Sequence, residues 1–97
     1  MIHLDAPHRE LVRSVLADHL PKGVRVFVYG SRATGKARRW SDLDLLLEAS
    51  EPLPRDIIID LREAFDESDL PWPVDITDRA TISDDFAKAI AADVVPF

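Results

Sequence analysis

The chain has no cysteine, which removes a disulfide framework, a thiolate nucleophile and any cysteine-based zinc site. No apolar run approaches the roughly 20 residues that span a bilayer. The N-terminal MIHLDAPHRE lacks the apolar core of a signal peptide, so a cytoplasmic protein with no membrane partner is expected. Positive charge is short overall: 12 Lys and Arg stand against 18 Asp and Glu, for a net charge of −6. A general nucleic-acid binder would show a basic footprint, so that class is set aside. There is no internal repeat and no low-complexity tract. What is present is an ordinary globular balance, 46% hydrophobic and 31% charged. Its 97 residues predict one domain, 1–97.

The scarce positive charge is local. Arg32, Lys36, Arg38 and Arg39 fall inside the stretch 29–47, YGSRATGKARRWSDLDLLL. The stretch reads as a strand end, a small-residue turn, a basic loop and a second strand. Gly30 and Ser31 close the apolar run 24–29, and a glycine there lets the backbone approach a ligand closely. Successive N–H groups at such a turn, opening a short helix over about 31–38 that breaks at Gly35, form an anion nest. Side chains two apart in a strand share a face. Asp42 and Asp44 therefore point one way, and Leu43, Leu45 and Leu47 the other. Carboxylates roughly 7 Å apart along one face repel unless a cation lies between them. Mg²⁺ is the natural ion, because it takes carboxylate oxygens and keeps phosphates as further ligands. A basic cluster between an anion nest and an acid pair suits a nucleotide carrying its own metal.

The flanking chain supplies the scaffold. Leu11, Val12, Val15, Leu16 and Leu20 recur at helical spacing, which predicts a helix over 7–20, with Pro7 in its first turn and Pro21 and Gly23 at its end. His8 and His19 on that helix have no metal-ligand spacing and read as boundary residues. Strands are predicted at 24–29 and 42–48, and a second long helix at 54–67, with Ile57, Ile58, Leu61, Ala64 and Phe65 on one face. Residues 74–77 read as a short third strand. Val74 and Ile76 face the core, so Asp75 faces the side of Asp42 and Asp44, while Asp78 has the opposite parity. A strand spacing of about 4.8 Å would let Asp75 join the other two acids at one ion site. A last helix is predicted over 83–92, capped by Ser83 or Thr81, with Phe86, Ala87, Ile90 and Ala91 as its stripe. The tail 94–97 reads as an edge strand, a position where Pro96 is tolerated, or as a surface for a partner. The fold class expected is α/β (α+β): a small mixed sheet with helices mainly on the face away from the acids.

Gly30-Ser31, Asp42-x-Asp44 after a basic loop, and a lone Asp75 on a later strand resemble the nucleotidyltransferase superfamily that shares its palm with DNA polymerase β. The short length resembles its minimal, MNT-type branch. Three separated elements agree in order and spacing, which makes the likeness more specific than a lone Gly-Ser or Asp-x-Asp. The resemblance implies a Mg²⁺-dependent transfer of a nucleotide, AMP from ATP, to a hydroxyl. It also implies a separate small helical partner of the HEPN type in a hetero-oligomer. In such toxin–antitoxin pairs the MNT protein blocks its partner by adding AMP to a tyrosine. Arg32 departs from the pattern, since many members carry an apolar or aromatic residue there, and this leaves substrate choice open.

On that likeness Asp42 and Asp44 would bridge two metal ions, and Asp75 would ligate one of them. Asp75 would also ease deprotonation of the incoming hydroxyl, directly or through the metal. Gly30 and Ser31 would hold the β- and γ-phosphates. Arg32 is placed among the nucleotide contacts, and Lys36, Arg38 or Arg39 would neutralise the leaving pyrophosphate. Ser41 either orients the strand that carries the acids or is a plain turn residue. Trp40 and Trp72 are candidates for base stacking, with packing the commoner use of each. Two other readings stand beside catalysis. One is a nucleotide-binding antitoxin that acts by contact alone. The other is a small-molecule nucleotidyltransferase subunit completed by a separate substrate-binding protein.

Overall fold

A computed structural model describes residues 2–97. Helix α1 spans Ala6–His19, strand β1 Arg25–Tyr29, the short helix α2 Ser31–Thr34 and strand β2 Leu43–Glu48. Helix α3 follows at Arg55–Asp66, then β3 at Val74–Asp78, a 3-10 turn at Arg79–Thr81, α4 at Asp84–Ile90 and β4 at Val95–Pro96. Local chemistry fixes several ends. Asp5 caps α1 by accepting from the His8 N–H, Pro7 sits in the first turn, and Ser83 caps α4 by accepting from the Phe86 N–H. Helix α2 is shorter than expected. Gly35 leaves it with φ +80°, a left-handed C-cap that ends the helix after one turn.

The sheet is mixed, in the order β3-β2-β1-β4. Strand β1 pairs antiparallel with β2 and β4, while β2 and β3 run parallel. A parallel pair needs a long crossover, and α3 supplies it. Strand parity then sorts the two faces. Val26, Val28, Leu43, Leu45, Leu47 and Ile76 lie on the face covered by α1 and α3, packed with Val12, Leu16, Leu61 and Phe65. Phe27, Tyr29, Asp44, Leu46, Asp75 and Thr77 lie on the other face. The acid face is not bare: α4 lies over part of it, setting Phe86 edge-on to Tyr29 at 6.2 Å between ring centroids. Helix α4 buries none of its residues fully, and Phe86 keeps 41% of its surface exposed. The tail joins the sheet as an edge: Val28 pairs with Val95, and the Phe97 N–H donates to the Val26 carbonyl at 3.0 Å.

Candidate active site

The site is assembled by the junction of β1, α2 and β2. Gly30 has φ +74° and ψ −156°, a region that residues with a Cβ avoid. The turn also needs the missing side chain for space. A Cβ on Gly30 would lie 2.3 Å from Oδ2 of Asp44. The glycine thus lets the carboxylate of β2 close onto the backbone that ends β1. The Gly30 carbonyl accepts from the N–H groups of Ala33 and Thr34, which starts α2.

The acids arrive by register. Asp44 is the direct partner of Asp75 in the parallel β2/β3 ladder and of Tyr29 in the antiparallel β1/β2 ladder. Asp42 stands exposed on the lead into β2, two residues ahead of Asp44, and Asp75 is also exposed. Asp44 is half-buried, and its pKa is pushed up to about 6 by burial first, then by the charges of Asp75 and Asp42. That cost marks three carboxylates sharing one face. The Tyr29 phenol shares the face as well. Its hydroxyl bonds Thr77 Oγ1 at 3.1 Å, and burial above all, with Asp44 and Asp75 adding to it, raises its pKa against the opposing effect of that hydrogen bond.

Among the described residues, no three His, Cys, Asp or Glu side chains are drawn together tightly enough to hold an ion as they stand. The donor chemistry nevertheless fits a hard divalent cation. All three groups are carboxylates, and the central one is destabilised in its charged form by its neighbours. A cation held there would reverse that penalty.

The remaining expected residues divide. Lys36, Arg38 and Arg39 are exposed, and Arg39 lies over the exposed Trp40 ring, 4.9 Å from its centroid. Arg38, Arg39 and Trp40 line an open cleft of about 410 Å³ with His8 and Trp72. Trp72 itself is buried in the core. Ser31 is half-buried at the start of α2. Ser41 is a turn residue, its Oγ accepting from the Arg38 N–H at 2.8 Å. Arg32 differs most from its expected place among free nucleotide contacts. It is 5% exposed, and all three guanidinium nitrogens donate to backbone carbonyls. Asp78, as its parity predicts, leaves the acid face. Its carboxylate accepts from the N–H groups of Leu53 and Ala80.

A sheet face that gathers mutually repelling acids beside a glycine turn is built to meet phosphates and their cations, and its class is the nucleotidyl-transfer palm. The chain belongs to the nucleotidyltransferase domain family, whose model matches residues 9–96. It is 46% identical over 89 residues to MntA of Haemophilus influenzae, named a probable protein adenylyltransferase; the match covers 90% of this chain and 77% of that protein. A solved minimal nucleotidyltransferase is similar at 34% identity and a TM-score of 0.69, covering 94% of this chain and 90% of that one. An MNT antitoxin from Shewanella oneidensis, solved in complex with its tri-AMPylated HEPN toxin, shares the fold. Its TM-score is 0.68 at 18% identity, over 93% of this chain and 68% of that one.

Proposed function

We propose that this chain transfers AMP from ATP to a hydroxyl on a small helical protein of the HEPN type, and so acts as the antitoxin of a toxin–antitoxin pair. The observation that carries the reading is the register that sets Asp44 beside Asp75, with Asp42 two residues away, at the Gly30 turn. The likeness to MntA supports AMP as the transferred group and a protein as the acceptor. The solved antitoxin complex supports the HEPN partner.

In the reaction the acceptor oxygen attacks the α-phosphorus, the bond from that phosphorus to the bridging oxygen breaks, and pyrophosphate leaves. Catalysis of this kind is mostly placement and charge stabilisation. Mg²⁺, held by Asp42, Asp44 and Asp75, would supply charge neutralisation at the phosphate oxygens. Asp75, an exposed residue, would take the hydroxyl proton. Gly30 and Ser31 present backbone N–H groups to the triphosphate. Lys36, Arg38 and Arg39 offer positive charge to the departing pyrophosphate, and the exposed Trp40 is free to meet a base. The test uses ATP labelled at its α-phosphate, Mg²⁺ and the co-purified partner. Label should enter the partner with the wild type and stay out with Asp75→Asn. A partner that is fully inhibited yet unlabelled would favour the contact-only reading.

A further inference from the structure

We infer that Arg32 is a positioning residue: it fixes the backbone carrying Asp42 against the Gly30 turn and the entry to β3. The inference rests on the transfer reading above. The guanidinium donates from Nε to the Ser41 carbonyl at 3.0 Å, from Nη1 to the His3 carbonyl at 2.9 Å and from Nη2 to the Arg39 carbonyl at 3.5 Å. The Ser41 carbonyl belongs to the peptide that leads into Asp42, so the first bond acts one residue from a site acid. The guanidinium also lies over the buried Trp72 ring, 4.1 Å from its centroid. Trp72 stands three residues before Asp75, and the adjoining Pro73 carbonyl accepts from the Leu43 N–H at 3.0 Å. The backbone of Arg32 closes the arrangement, its carbonyl accepting from the His3 N–H at 2.6 Å. Arg32 is two residues beyond Gly30. One side chain therefore ties the turn, the basic loop and the approach to β3 into a single unit.

The residue type follows from that task. A buried charge is costly unless its donors are paired, and a planar fork can serve several carbonyls and stack on a ring at once. A lysine keeps the charge but loses the fork and the plane. Its side chain cannot hold the Ser41 and His3 carbonyls while lying flat on Trp72.

The test compares Arg32→Lys and Trp72→Leu with the wild type, each as the full chain with its HEPN-type partner. Two readouts are taken: AMP-transfer kinetics, and amide hydrogen exchange over residues 36–44 without nucleotide. Misplacement of an acid acts on kcat, so Arg32→Lys should lower kcat by about tenfold to a hundredfold and change KM for ATP by less than about threefold. Exchange over 36–44 should quicken by about tenfold while the helices stay protected. Trp72→Leu leaves the guanidinium donors in place and should lower kcat in the same direction, which decides the matter if Arg32→Lys does not fold. A kcat within about twofold of wild type with unchanged exchange would overturn the inference. So would a raised KM at unchanged kcat, which would make Arg32 a direct nucleotide contact. If the wild type transfers nothing, the transfer reading fails by itself. Exchange then tests the clamp alone, and unchanged exchange in both variants overturns it.

Discussion

At the scale of single residues, Asp44 carries the tension of the site. Its pKa of about 6 lies above the ordinary carboxylate value of 3.8. A raised carboxyl pKa contributes stability that is present while the group is protonated, below about pH 4. That contribution is lost as pH rises through about 6. Asp44→Asn should therefore stabilise the free protein at pH 7.5, by on the order of 1 kcal/mol once solvent screening is allowed for. The gain should vanish near pH 4, as denaturant melts at the two pH values would read. Gly30→Ala tests the same contact from the other side. Backbone strain alone should cost on the order of 1–3 kcal/mol, and the clash with Asp44 should add to it. In the double variant with Asp44→Ala the clash is relieved and the strain is not, so a double-mutant cycle should show coupling of about 0.5–3 kcal/mol. Purely additive costs would mean that the carboxylate does not crowd the turn.

At the scale of elements, strand parity made much of this site readable. Asp42 and Asp44 were legible as a pair because the side-chain period of a strand is two. Asp75 followed because Val74 and Ile76 had to face the core. Asp78, three residues further along the same strand and opposite in parity, was separated from the acids by the same rule. The structure uses it to hold the Leu53 and Ala80 N–H groups. Asp78→Ala should then cost about 1–3 kcal/mol of stability, because two part-buried donors lose their partner. Asp75→Asn should leave the thermal midpoint near wild type and remove transfer. A thermal melt and a transfer assay on the two variants would show opposite patterns. What parity could not supply was register between distant elements. Tyr29 and Thr77 flank the acids only because β1 and β3 both border β2. The Arg32 clamp was hidden for the same reason: its carbonyl partners lie seven, nine and 29 residues away along the chain. The break of α2 at Gly35 was legible, but not that the chain fails to resume the helix over 36–38.

At the scale of the whole molecule, one face is spent on stability and the other on chemistry. Helices α1 and α3 bury the Val, Leu and Ile side of the sheet, with Leu43, Leu45 and Leu47 fully covered. A core so concentrated in one strand is sensitive there: Leu45→Ala should cost about 2–5 kcal/mol, measured by chemical denaturation. The opposite face holds the acids, the glycine turn and the lightly packed α4. Among the described residues, Asp42 and Asp75 are exposed on that face. AMP transfer to the partner and mere contact with it predict different partner masses. Intact-mass spectrometry of the HEPN-type partner, co-expressed with this chain, separates the two. Transfer should leave the partner heavier by one or more AMP groups with the wild type, and unmodified with Asp75→Asn although the complex still forms. Partner of unmodified mass beside the wild type, with ATP and Mg²⁺ in excess and its activity still blocked, would contradict it.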